Sequence, residues 1–143
     1  MSHKSDSPLP DNWQQLVEAS RTARTNAYAP FSNYAVGAAL LTDEGRIFAG
    51  CNVENSSYGL TICAERVAAC SAVAAGCREF SAIVISLTGI AIPCGTCRQF
   101  LYEFNPDMTV VIDDLEEDDR ETPETVSLRD LLPRGFRLET ERA

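Results

Sequence analysis

Apolar and polar residues follow one another with a period that changes from block to block along this chain. Between Trp13 and Asn26 the apolar positions Trp13, Leu16, Val17 and Ala23 recur at helical spacing, which predicts a helix with one apolar face. Asp11 or Asn12 stands where its cap belongs. Tyr28-Ala29-Pro30-Phe31-Ser32 ends that pattern. Ala35–Leu41 and Arg46–Val53 are strand-like runs on either side of Thr42-Asp43-Glu44-Gly45, an arrangement that predicts an antiparallel hairpin. A polar loop, Glu54–Thr61, leads into a second helical run, Ile62–Ala75, with Thr61 as candidate cap and Gly76 as its stop. Ala82–Leu87 is short and β-branched, as a buried strand should be. Cys97–Phe104 predicts a third helix, stopped at Asn105-Pro106. Thr109–Ile112 predicts a further strand, and Ser127 opens a last helical turn over Leu128–Leu132, closed by Pro133. Helices and strands in this order predict an α/β protein with one mixed sheet covered by helices. No internal repeat is present.

Composition narrows the picture. A chain of 143 residues with 45% hydrophobic residues is long enough for one packed core. Residues 1–11, polar and carrying Pro8 and Pro10, are expected to form a flexible tail ahead of a single domain over 12–143. The net charge of −9 argues against nucleic acid as partner, because phosphate binding needs a basic surface. It suits a small uncharged ligand. The N-terminus shows no apolar signal segment and no run reaches membrane-spanning length, so no membrane partner is expected. Six cysteines without such a signal point to a reducing cytoplasm and metal-bound thiolates rather than disulfides. The one histidine is His3, in the tail, which leaves no histidine for a catalytic site. Asp113–Glu124 is strongly acidic and reads as a solvated loop.

The chemistry concentrates in Cys63-Ala64-Glu65 and Pro93-Cys94-Gly95-Thr96-Cys97. Each cluster opens a helix, so the scaffold's task is to bring two helix starts together. Three thiolates with an open fourth position make a catalytic Zn²⁺ site. Cys94 and Cys97, three apart, point to one side of a first helical turn. The positive end of a helix favours thiolate over thiol. Glu65 is close enough to face the ion without ligating it, as the acid/base of a metal-assisted hydrolysis. Three other readings remain open: small buried hydrophobes, a Cys94/Cys97 redox pair, or a structural zinc with Cys70 as fourth ligand. Cys70 lies two helical turns from Cys63, roughly 10 Å along the axis, which is far for one ion. Cys51, Cys70 and Cys77 are expected to be ordinary thiols.

Both clusters, together with Tyr28-Ala29-Pro30-Phe31-Ser32, Val36-Gly37-Ala38-Ala39-Leu40-Leu41, Gly50-Cys51-Asn52-Val53-Glu54-Asn55, Arg66, Arg98-Gln99 and Leu131-Leu132-Pro133, resemble the small zinc-dependent cytidine deaminases. The resemblance runs from residue 28 to 133. It implies a three-layer α-β-α fold with a mixed five-stranded sheet, Thr125-Val126 adding the fifth strand. It implies hydrolytic deamination of cytidine and 2′-deoxycytidine, as in pyrimidine salvage, with ammonia released, one Zn²⁺ per subunit on Cys63, Cys94 and Cys97, and Glu65 as proton shuttle. The alternative is a deaminase of an aminonucleoside antibiotic of the blasticidin S type, which shares the zinc motifs.

Asn52 and Glu54 alternate on a strand end and so project the same way. In the family this pair grips the ribose, whereas in isolation it could simply be polar strand-end residues. Arg66 would offset the surplus negative charge of three thiolates on one Zn²⁺, or else be a surface arginine. The resemblance further implies that Ala64 orients the reacting group through its peptide. Tyr34 stands where the family usually has a base-contacting phenylalanine, with a hydroxyl that needs a partner. Tyr58 and Phe136 match residues given to a neighbouring subunit's site, which implies a homotetramer.

Overall fold

The computed structural model describes residues 7–89, 92–117 and 121–140. Among the described residues four α-helices and five strands follow in the order α1 (Trp13–Arg24), β1 (Gly37–Thr42), β2 (Ile47–Cys51), α2 (Ala64–Ala74), β3 (Phe80–Leu87), α3 (Gly95–Tyr102), β4 (Thr109–Asp114), β5 (Glu124–Ser127) and α4 (Leu128–Leu131). The five strands form one sheet in the order β2-β1-β3-β4-β5. β3 and β4 are parallel, joined through α3, and the other neighbours are antiparallel. The expected α/β class and mixed five-stranded sheet are both present.

Strand alternation sorts the core into two faces. Ala38, Leu40, Ile83, Ile85 and Val110 pack with Ala64, Ala68, Ala69 and Ala72 of α2 and Leu101 of α3. Ala39, Val84 and Val111 turn the other way, onto Leu16 of α1. Helices thus cover both faces, giving the three layers. The alanine stripe of α2 lets the helix backbone lie close to the sheet. Gly50 deepens that approach: a Cβ there would meet Ala68 N at 2.5 Å and Ala64 O at 2.7 Å.

The hairpin turn forms where expected. Gly45 N–H donates to Thr42 O at 3.0 Å, with Gly45 at φ 86°, a conformation glycine adopts at little cost. Asn12 stands at the N-cap of α1 as expected, although its side chain makes no capping bond. Two local expectations are corrected. Thr61 does not cap α2; it ends a 3-10 turn at Tyr58–Leu60, and Cys63 itself is the N-cap residue. The tail is not loose over residues 7–11, because Leu9 packs against the α1 face of the core and Ser7 O accepts from Thr125 Oγ1 at 2.9 Å. Residues 1–6, His3 among them, and part of the acidic segment, residues 118–120, lie outside the described residues. Within that segment Asp113 is buried at the end of β4, where it accepts from Arg21 Nε and Nη2 of α1, both at 2.8 Å, and from Ser86 Oγ at 2.6 Å. No helix among the described residues is long and apolar enough to cross a membrane.

Candidate active site

The two helix starts do meet. Cys63 is the N-cap of α2, Cys94 the N-cap of α3, and Cys97 lies on the first turn of α3. Each cap position has an extended backbone and neither side chain makes a capping bond, so both sulfurs are left to the cluster. The three Sγ atoms lie within 4.8 Å of one another, and among the described residues no other cluster of metal-ligating type forms. Cys63 Sγ and Cys94 Sγ are 3.6 Å apart. A tetrahedral ion about 2.3 Å from each sulfur would set the sulfurs roughly 3.8 Å apart. The donor set and spacing fit Zn²⁺. Cys70 is exposed on α2 and outside the cluster, which removes the reading of a zinc with Cys70 as a fourth ligand. Cys97 is buried and Cys94 exposed, so the cluster is closed on one side and open on the other.

Glu65 is 4% exposed. Burial pushes its carboxyl above the ordinary range, the Cys63 charge adds to that, and a hydrogen bond with Cys97 opposes it. Glu65 lies on the first turn of α2, two residues after Cys63. Cys63 is pulled down to about 5, first by its hydrogen bond with Cys97 and then by Arg66 and Cys94. Cys97 is pushed up through that same shared hydrogen bond, and burial adds to it. Cys63 and Cys97 thus share a proton that a divalent cation would displace.

Arg66 is not a free surface arginine. Nη2 donates to Cys63 Sγ at 3.6 Å and to Thr61 O at 3.4 Å, while Nε is buried with no hydrogen-bond partner. A half-buried guanidinium bonded to Cys63 Sγ suits a site with surplus negative charge.

The residues expected from the sequence to face a nucleoside are assembled by backbone ladders. Val53 N–H and Ile62 N–H exchange bonds with each other's carbonyls, both at 2.9 Å. This stitches the Asn52–Glu54 strand end to the residue before Cys63. Asn52 is nearly buried, and its side chain is largely committed: Oδ1 accepts from Val36 N at 2.9 Å and Nδ2 donates to Tyr34 O at 2.8 Å. One amide hydrogen is left over. Glu54 accepts from Phe31 N at 2.9 Å, Ser32 N at 3.2 Å and the Ser32 hydroxyl. Those bonds, the Ser32 hydroxyl first, hold it below the usual glutamate range. The Tyr34 phenol finds its partner in Thr88 O. Ala64 is fully buried at the start of α2.

Tyr58 and Phe136 are 73% and 64% exposed. Tyr58 leans on Phe31, ring centroids 5.5 Å apart, and Phe136 O accepts from Gln99 of α3 at 3.1 Å. Neither is brought to the sulfur cluster by a contact of its own chain. Sequence reasoning passed over two residues. Arg98 donates to Pro93 O at 2.8 Å and to Leu131 O at 2.9 Å, fixing the approach to Cys94 against α4. Ser32 holds Glu54. Both stand inside the recognised motifs, and that was the available signal.

The zinc-binding region of cytidine and deoxycytidylate deaminases matches residues 10–113. A cytidine deaminase of Sporosarcina psychrophila is 44% identical over 129 residues, spanning 88% of this chain and 92% of the relative. One from Halalkalibacterium halodurans is 42% identical, spanning 88% and 95%. The crystal structure of cytidine deaminase from Burkholderia pseudomallei superposes with a TM-score of 0.79 at 48% identity, over 86% of this chain and 98% of that one. These relatives do not favour the antibiotic-deaminase alternative. The extent of these matches, with the sulfur cluster in the family's zinc-binding region, places this chain in the cytidine and deoxycytidylate deaminase family.

Proposed function

We propose that this enzyme hydrolyses the exocyclic amine of cytidine and 2′-deoxycytidine, giving uridine and 2′-deoxyuridine and releasing ammonia. The observation that carries this reading is the meeting of Cys63, Cys94 and Cys97 at two helix starts, with Glu65 buried on the first turn of the helix that Cys63 opens. Bound to those sulfurs, zinc supplies the Lewis acidity that makes water nucleophilic near neutral pH. Glu65 accepts the proton of the attacking water and returns protons to ring N3 and the departing amine. C4 passes through a tetrahedral state as its bond to oxygen forms and its bond to nitrogen breaks. Arg66, against Cys63, offsets the surplus charge of the sulfurs. The peptide of Ala64 orients the reacting amine. Tyr34 offers its ring to the base while its hydroxyl stays on Thr88. Glu54 and the spare amide hydrogen of Asn52 read the ribose.

Tyr58 and Phe136 complete a neighbouring subunit's site in a homotetramer; their exposure supports this. The protein works in the cytoplasm, where thiolates stay reduced, as one catalytic unit over residues 12–143. The test is an absorbance assay of zinc-loaded protein with cytidine, with blasticidin S in parallel. Conversion of cytidine to uridine is expected, and Glu65→Gln should lose roughly 10²–10⁴ in kcat while keeping zinc and fold. Full activity in that variant refutes the Glu65 role, and turnover of blasticidin S alone refutes the substrate.

A further inference from the structure

Between α1 and β1 the chain folds over Glu54. Asn33, at φ 57°, donates its N–H to Ala29 O at 2.9 Å, and this tight turn aims two successive N–H groups the same way. Phe31 N–H and Ser32 N–H both donate to Glu54 Oε1, at 2.9 and 3.2 Å. The Ser32 hydroxyl donates to Oε2 and accepts from Tyr34 N–H at 3.0 Å. An exposed glutamate ordinarily samples many rotamers, and ordering it on binding costs free energy. Here three donors order it before any ligand arrives. A carboxylate has about four lone-pair positions, so Glu54 keeps acceptor capacity for about one hydroxyl from a fixed direction. The Ser32 hydroxyl is the one group bonded both to Glu54 and to the backbone of Tyr34.

We propose that Ser32 is the positioning residue that sets Glu54 for a ribose hydroxyl and ties that setting to Tyr34, so that preference for hydroxylated over dideoxy nucleosides resides in the 31–34 turn. This rests on the assignment of Glu54 to the ribose made above. Ser32→Ala removes one donor to the carboxylate and the acceptor for Tyr34 N–H, leaving the two peptide donors. Ser32→Thr keeps the hydroxyl.

The experiment is steady-state kinetics of the zinc-loaded enzyme on cytidine and on 2′,3′-dideoxycytidine, which lacks the hydroxyls. A side chain left free and then ordered on binding corresponds to a loss of up to about tenfold in binding. Ser32→Ala is therefore expected to raise KM for cytidine up to about tenfold with a much smaller change in kcat, and to raise KM for dideoxycytidine far less, by the part that runs through Tyr34 alone. Ser32→Thr should restore the wild-type preference, and Ser32→Gly should repeat the alanine result. Equal losses on both substrates, or no change on either, overturn the proposal. Glu54→Gln separates the two layers of the argument. If that variant keeps the wild-type preference, the ribose role of Glu54 falls and the proposal falls with it. If it loses the preference while Ser32→Ala keeps it, the ribose role stands and the Ser32 proposal alone is overturned.

Discussion

Replacing Gly50 by alanine tests whether the helix start carrying Cys63 and Glu65 is placed by its fit to the sheet. Gly50 lies on β2, beneath the first two turns of α2. The added methyl would stand 2.5 Å from Ala68 N, 2.7 Å from Ala64 O and 3.0 Å from Val67 Cβ. Non-bonded contacts relax at about 3.5–4.0 Å, so helix and strand must part by about 1 Å. The two nearest atoms are backbone and cannot rotate aside. Overpacking of this kind costs about 1–3 kcal/mol. At about 2 kcal/mol the melting temperature should drop by roughly 4–8 °C. The catalytic effect should be larger in proportion. Cys63 and Glu65 would move with α2, whereas Cys94 and Cys97 stay on α3. A displacement of about 1 Å at reacting groups can cost about 100-fold. The assay is thermal unfolding of zinc-loaded protein at one fixed concentration, beside kcat on cytidine. A variant with wild-type melting and turnover refutes the close-packing argument. A lowered melting temperature with full kcat refutes the claim that α2 carries the site with it.

Three further substitutions probe separate links. Cys97→Ala should lose stoichiometric zinc, because ligand loss removes binding free energy coupled to folding; metal analysis after desalting checks this, and one zinc per subunit would contradict the ligand assignment. Arg66→Gln should weaken zinc about 10- to 100-fold, as loss of groups supporting ligands does, read by competition with a chromogenic chelator; unchanged affinity would return Arg66 to a packing role. Arg21→Ala strips a two-pronged partner from the buried Asp113, leaving it the Ser86 hydroxyl. The expected cost is about 1–3 kcal/mol with kcat nearly unchanged, and a stability within about 0.5 kcal/mol of wild type in denaturant unfolding would show that the pair contributes little.

The sequence by itself determined the elements and the site's chemical identity, because both are written in short-range spacing. Period-two and helical patterns placed the helices and strands to within a few residues, since a strand or helix face depends on neighbours along the chain. The Cys-x-x-Cys step, the Cys-Ala-Glu step and the absence of histidine beyond His3 pointed to a cysteine-ligated metal and a glutamate acid/base. What the tertiary structure alone decided depends on partners distant in sequence. The Tyr34 hydroxyl could be seen to need a partner, but Thr88 lies 54 residues away. Asn52 and Glu54 looked equivalent on one strand end, yet Asn52 is largely committed to the backbone of residues 34 and 36 and Glu54 is held by the turn at residues 31–32. Arg98 acquired its role because α4 packs beside α3, a contact between residues 33 apart. Even the cap of α2 lies two residues past the expected Thr61, at Cys63, since the ladder between Val53 and Ile62 holds the chain out of the helix up to that point. Local pattern specifies which groups a chain has to offer, and long-range packing settles which of them remain free to meet a substrate.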